Sequence, residues 1–482
     1  ISETDTKGTY VRADANLTLP PAIAGKHLNI FAGSSISDTF EEIQTITGSY
    51  TNEWVGRSSA ISTDGSVYVF GTYRTDVDGV DNVGYFSVYR KDSNGDFQLE
   101  QKIVGAYAKQ ALGATLDING AGTRITVESE TWHSGGGTPP LPTDLQQGFM
   151  DVYDYSNGTW TQTFRVKGSD FSSTSTSSGF GKSAISKDGN TIIVGNPNAN
   201  IGGGASTGFM VVYNYNNGSW SQKGQILTGS ANNEFFGIYT DVNSDGTRIA
   251  IGQSRYTSSN TGRVQVFTYN GTNWVQYGND MASDVPEASE EFGRAVKFNE
   301  DGTRIVIGSP NKDTTNTDAG IVVVYEDQSA TWTQIGSTLT GKDNADDELG
   351  WIVDMTDDGN TILTGSRYDN SSGSRLTGYV RFYNWNGTDW DILQTIDAPA
   401  GETQQPRDRS HALSRDGKYF VFGVPYFNTQ TGKVIIYNKE DLNVGDKTIT
   451  AGSGDSINNG TTIVVSTLKQ FVCSQDGVWV SN

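Results

Sequence analysis

A single cysteine, Cys473, in 482 residues leaves no intrachain disulfide. A secreted animal ectodomain of this size carries several as a rule. The chain therefore fits a bacterial, viral or cytosolic protein, held by its core and its hydrogen-bonded ladders. Positive charge is also scarce. With 34 Lys and Arg against 55 Asp and Glu, the formal net charge is −21, which argues against a basic nucleic-acid footprint. No segment approaches eighteen consecutive apolar residues, so no helical membrane insertion is expected. No leader segment is visible, and a start at Ile1 rather than Met fits a processed or partial chain. Histidine occurs three times, as His27, His133 and His411, far apart in sequence. HExxH, paired cysteines, a Gly-rich phosphate loop and GxSxG are all missing. The common metalloprotease, phosphate-loop and serine-hydrolase chemistries thus have no support.

What the chain has in quantity is glycine (58) and aromatic residues (22 Tyr, 20 Phe, 10 Trp), with Ser, Thr and Asn crowded between short Val/Ile/Tyr runs. That is the composition of an all-β protein with many turns. A repeat organises it. A turn dipeptide, with Gly six residues after the turn glycine, occurs as DGSVYVFG at Asp64, DGNTIIVG at Asp188, DGTRIAIG at Asp245, DGTRIVIG at Asp301, DGNTILTG at Asp358 and DGKYFVFG at Asp416. A degraded seventh copy, AGTRITVE at Ala121, ends in Glu128. The spacing is close to 57 residues, except after Ala121, where the unit carries an insertion, HSGGGTPPLPTDLQQ. Each unit reads as a small-residue strand, often opened by Phe-Gly, then the Asp-Gly turn, a second strand, a variable polar loop, a third strand such as IVVVYED, an Asn-Gly turn, and a fourth strand beginning with Trp. Four antiparallel strands at this period are a propeller blade.

Seven anchors predict seven blades. The seventh lacks its Trp strand after GKVIIYN (Gly432–Asn438), whereas FEEIQTITG (Phe40–Gly48) is a fourth strand with no blade before it. The two deficits are complementary, so the N-terminal strand is expected to close blade 7 and remove the open edge. The Phe-Gly pairs, Asp-Gly turns and IGSP or VGNP segments resemble FG-GAP-type repeats, which implies a seven-bladed propeller over about Phe40–Asn438. That family's calcium loop has no clean copy; Asp76, Asp78 and Asp81 in DVDGVDN come nearest, and calcium is the one cofactor candidate.

Residues 1–38 and 441–482 lie outside the repeat and are expected to form one small discontinuous β domain into which the propeller, 39–440, is inserted. In their Gly-, Asn- and Asp-split alternating runs they resemble small β domains of phage tail and head fibres. This resemblance implies a virion protein, other virion proteins as partners, and a homo-oligomer, often a trimer. The reading that both ends are unrelated decorating strands stays open.

In antiparallel blades the second-to-third-strand loops and the blade-to-blade connections share one face, and binding residues concentrate in such loops. There Arg255-Tyr256 and Arg367-Tyr368 recur after the second strand, with Tyr73-Arg74 inverted and Tyr426 alone. Tyr and Arg give contact area and a fixed hydrogen-bonding fork, and a host-surface glycan is the ligand class this rim suits. Packing of the same Tyr between blades is the competing account. His411, near Asp408 and Arg409, sits on an inner strand, where an ion-pair network along the central channel is expected. The connections SDVPEASEE (Ser283–Glu291) and KDNADDELG (Lys342–Gly350) are acidic, and the Asn-Gly-Thr/Ser sites fall in turns. The leading expectation is a non-enzymatic virion protein for capsid decoration or host attachment. A secreted or surface FG-GAP-like adhesin and a polysaccharide-acting propeller enzyme are the alternatives.

Overall fold

The computed structural model describes residues 36–441 apart from loop segments, the longest at 131–141, 172–179, 369–377 and 398–409, and in the flanks only short strands. Residues 42–438 form a seven-bladed β-propeller. Blade 5 is representative: Ala295–Phe298, Arg304–Ser309, Ile321–Asp327 and Trp332–Thr340 pair antiparallel in chain order from the inside out. In blade 3 the outer strand is broken into Ser219–Gln222 and Leu227–Thr228, both paired with Phe209–Asn216. Blade 7 comprises His411–Leu413, Tyr419–Val424 and Lys433–Asp441, with Ile36–Thr47 as its fourth strand. The expected closure is therefore present, and its strand starts four residues before Phe40. Phe40 is buried, and Gly48 N–H donates to Gly432 O at 3.0 Å.

The anchor has a local and a tertiary cause. Locally, the turn Asp caps its own hairpin: in blade 5 the Asp301 Oδ1 accepts from Thr303 N at 3.0 Å and Thr303 Oγ1 at 2.6 Å. The closing Gly is set by the next blade. At Gly71, Gly195, Gly252, Gly308 and Gly423 an added Cβ would collide with the carbonyl oxygen of Gly113, Gly237, Gly293, Gly350 and Gly56 respectively. Each of those partners follows Phe, Leu or Val as the second member of the pair that opens the neighbouring inner strand. Glu128 takes this position in blade 2, where its carboxylate is buried against the Thr115 hydroxyl.

The fourth-strand tryptophans tie outer strands across boundaries. Trp160 Nε1 donates to Glu100 Oε2 at 2.7 Å and Trp274 Nε1 to Lys223 O at 2.7 Å. Second-strand arginines reach the next turn: Arg124 donates to Gly189 O at 2.8 Å and Arg248 to Gly302 O at 2.9 Å. The apolar cores lie between adjacent blades, as where Phe292, Phe298 and Trp332 of blade 5 meet Val264 and Val266 of blade 4.

The second compact unit is Ile1–Glu41 with Lys439–Asn482. Its strands pair one end of the chain with the other, antiparallel: Val11–Arg12 with Gln470–Ser474, Leu17–Thr18 with Thr462–Ile463, and Leu28–Ile30 with Lys447–Ile449. Gln470–Ser474 continues into a hairpin with Gly477–Ser481.

Deleting residues 36–47 exposes the long third strand of blade 7 and should abolish cooperative thermal unfolding or cause aggregation. A monomeric variant with unchanged melting would refute the closure. Burial alone would raise the Asp301 carboxyl, but the Thr303 hydroxyl and amide hold it below its ordinary value. Stability from that capping is present above the ordinary carboxylate range and lost as pH falls through the depressed value. Because Asp301 is exposed and solvent screens its interactions, Asp301→Asn should destabilise by at most about 0.5 kcal/mol at pH 7, and chemical denaturation should show the gap closing below about pH 4.

Candidate functional site

The seven inner strands surround a channel cavity of about 290 Å³. Its two ends differ. At the Asp-Gly end the backbone closes a ring across every blade boundary. Thr63 N donates to Gly120 O, Gly120 N to Lys187 O, Asp188 N to Ser244 O, Ser244 N to Glu300 O, Glu300 N to Asp357 O, Asp357 N to Arg415 O, and Asp416 N to Thr63 O, at 2.8–3.2 Å. Lys187 of blade 3 spans to Glu300 of blade 5 (2.7 Å) and Asp357 of blade 6 (2.6 Å). Burial alone would lower the Lys187 ammonium, but these two carboxylates hold it above its ordinary value. Arg415 of blade 7 donates to Phe298 O (2.9 Å) and Met355 O (3.0 Å). The charged side chains at this end are thus engaged with other blades.

One step further in, carboxylates alternate. Asp117, Asp241 and Asp354, of blades 2, 4 and 6, accept from the inner-strand amides of Ile185, Phe298 and Leu413 in blades 3, 5 and 7, at 3.1, 2.8 and 2.8 Å. Asp241 also pairs with Lys297 at 3.0 Å. Burial pushes the Asp117 carboxyl up, with Lys297 pulling the other way. His411 Nε2 lies 3.3 Å from Val353 O. His27, His133, Asp408 and Arg409 lie outside the described residues.

The loop-face end carries large side chains immediately after the opening glycines: Arg57, Arg294 and Trp351 of blades 1, 5 and 6, with Tyr239 of blade 4 beside them. The Arg294 guanidinium lies 4.1 Å from the Trp351 ring centroid and 4.4 Å from that of Tyr239, and Glu291 is 3.4 Å from its Nε. Cations desolvated over aromatic faces gain a favourable quadrupole interaction. Among the described residues, three buried polar atoms along this wall have no hydrogen-bond partner, Trp351 Nε1, Ser59 Oγ and Thr240 Oγ1, and Thr63 Oγ1 is in the same condition at the Asp-Gly end.

The rim residues expected from sequence fall into three groups. Tyr73 and Tyr426 both pack on Trp54, with centroids 6.0 and 4.9 Å away, at the boundary of blades 7 and 1. Tyr73 is only 8% exposed, and Arg57 lies 5.1 Å over its ring. Arg74 lies outside the described residues. In blade 4, Arg255 is exposed and sits 4.7 Å over Phe235, while Tyr256 is covered by Arg263 at 3.6 Å. Arg263 is held in turn by Glu234 (3.0 Å) and Asp280 (2.9 Å). In blade 6, Arg367 stacks on Tyr368 (4.8 Å) and on Trp351 (4.4 Å), joining the rim to the channel. Trp351, Arg294, Tyr239 and Arg57 were not singled out from sequence. The available signal was a bulky residue after the Phe-Gly, Leu-Gly or Val-Gly pair, where Ala114 and Ile238 stand in other blades.

Of the calcium candidates, Asp76 Oδ1 accepts from Asn82 N at 2.7 Å, Asp81 accepts from the Asn82 amide, and Asp78 occupies a left-handed turn position with φ 51°. Among the described residues no group of three or more His, Cys, Asp or Glu is placed to hold a metal. The acidic connections contribute caps and pairs. Glu234 Oε2 accepts from Ser230 N (2.6 Å) and Ala231 N (2.9 Å), Gln110 repeats this cap in blade 2, and Lys312 lies 2.6 Å from Glu287 and 3.4 Å from Glu290.

No protein-family profile and no curated protein matches the chain. Among solved structures, it is similar to that of a candidate 6-phosphogluconolactonase from Bacteroides uniformis, at 13% identity and a TM-score of 0.49, over 79% of this chain and 94% of that one.

Removing the Asp241 carboxylate leaves Lys297 and the Phe298 amide without their partner in the channel wall. Asp241→Ala should cost roughly 3 kcal/mol in urea denaturation. Asp241→Ala with Lys297→Met should recover part of that loss, and an equal loss in both variants would show the pair to be uncoupled.

Proposed function

We propose that this chain is a non-catalytic attachment protein of a virion, whose propeller presents its loop-bearing face to a host-surface glycan. The observation that carries this reading is the inequality of the two faces. One is made of tight Asp-Gly and Asn-Gly turns around a channel end occupied by Lys187, Glu300, Asp357 and Arg415. The other bears the variable loops, the guanidinium–aromatic pairs of blades 4 and 6, and a channel mouth lined by donors without partners. Flat rings and fixed guanidinium forks suit a polar, hydroxyl-rich ligand. The carboxylates of the channel are engaged by backbone amides and Lys297, an arrangement that supports a structural role for them over acid–base work. The flanking unit brings the two chain ends together in one set of strands, which suits anchoring to other virion proteins as a homo-oligomer.

A glycan array probed with the intact protein tests the reading. Binding to a defined glycan class is expected, reduced at least about tenfold in Arg255→Ala/Tyr256→Ala and unchanged in Thr272→Ala on the turn face. Release of reducing sugar from a bound polysaccharide, or full binding by the double variant, would overturn it.

A further inference from the structure

We infer that the loop-face mouth of the central channel is a pocket for a carboxylated sugar residue, bound through Arg294, Arg57 and the Trp351 indole N–H. This names the ligand chemistry of the face proposed above and rests on that reading.

Three features of the wall point to an anion with hydroxyl groups. First, guanidiniums gather there in a chain of formal net charge −21. Arg57 and Arg294 line the cavity, and Arg294 and Arg367, each 3.4 Å from a carboxylate (Glu291 and Glu348), both lie over the Trp351 ring, at 4.1 and 4.4 Å. Guanidinium presents parallel N–H donors that match a carboxylate. Second, two guanidiniums already lie over the Trp351 ring and crowd the space in which a sugar ring would stack on it. What Trp351 still offers is its indole N–H, which is buried and has no acceptor. An indole nitrogen only donates, so its natural complement is an oxygen acceptor. Third, Ser59 and Thr240, 4% and 8% exposed, line the same cavity with unpartnered hydroxyls. Hydroxyls both donate and accept, as the ring substituents of a sugar do. Leaving such groups buried and unsatisfied is unfavourable, and a polar ligand would relieve it. The whole channel cavity, of which the mouth is one part, holds about 290 Å³, which limits the mouth to no more than one sugar residue. The carboxylates further in, Asp117, Asp241 and Asp354, would repel an anion, which keeps its charged group at the arginine end.

The test uses the full-length protein with D-glucuronate and D-galacturonate as probes and D-glucose and D-galactose as neutral controls, titrated by calorimetry and by NMR of the tryptophan indole N–H signals. Wild type is expected to bind an acidic sugar at least about tenfold more tightly than its neutral counterpart, with affinity falling as salt is raised. One indole resonance, absent from the spectrum of Trp351→Phe, should shift on binding. Arg294→Gln should lose about tenfold in affinity for the acidic sugar, and Trp351→Phe a smaller factor, with melting temperature as the control for folding. If a variant misfolds, the wild-type indole shift still decides the matter. Equal affinity for acidic and neutral sugars, no binding of either uronate, or a bound uronate that leaves the Trp351 signal unmoved would each overturn the pocket. Array binding of neutral glycans lost in Arg255→Ala/Tyr256→Ala, without uronate binding, would leave the attachment reading standing and remove this one. Uronate binding that shifts the Trp351 signal, without any array binding, would do the reverse.

Discussion

Seven backbone hydrogen bonds, one across each blade boundary, run around the channel and return to their origin at Thr63. At the other end of the strands, at five of the boundaries, the end of a second strand meets the next blade's backbone with no room for a Cβ. The glycine that closes the anchor follows from this, as do the small residues of most inner strands. Closing such a ring needs the last boundary to be as well made as the other six. The N-terminal strand serves that purpose by completing blade 7 beside blade 1, where Gln44 Nε2 contacts Phe97 O and Tyr68 OH donates to Gln44 Oε1.

Convergence of seven strands also dictates the electrostatics. A charge placed on an inner strand is removed from bulk water and needs a partner within reach, and the nearest groups belong to other blades. Asp117, Asp241 and Asp354 meet this need with the amide of the following blade, and Lys187 and Arg415 by reaching across the channel. One channel end is thereby crossed by pairings between blades. At the other end, arginines stacked on Tyr239 and Trp351 leave an indole N–H and two hydroxyls without partners. Stacked guanidiniums and variable loops thus share one face.

The repeat was legible because its signals are local. Asp-Gly and Asn-Gly turns, period-two strands and a leading Trp each act within a few residues, and they recur often enough to mark every blade. The closure was legible because one blade lacked what the N-terminal stretch had in excess. The site was much less so. Tyr73 and Tyr426 both follow the second strand of their blades, but that likeness does not reveal that both pack on Trp54 across one boundary. Arg255 and Tyr256 are neighbours in sequence yet stack on Phe235 and under Arg263 instead of on each other. The Tyr239–Arg294–Trp351–Arg367 stack draws on three blades, and no short pattern spans that distance. Likewise, the alternation of Asp117, Asp241 and Asp354 acquires meaning only when the amide each one caps is known to lie in the next blade.

By itself the sequence determined the blade count, the strand order and the exchange of a strand between the chain's ends, because turn chemistry and periodicity act over a few residues and repeat. Only the tertiary structure decided which end of the channel is crossed by ion pairs between blades and which carries arginines stacked on aromatic rings. That outcome depends on distances between side chains more than fifty residues apart, and on which of them the convergence of the strands strips of water.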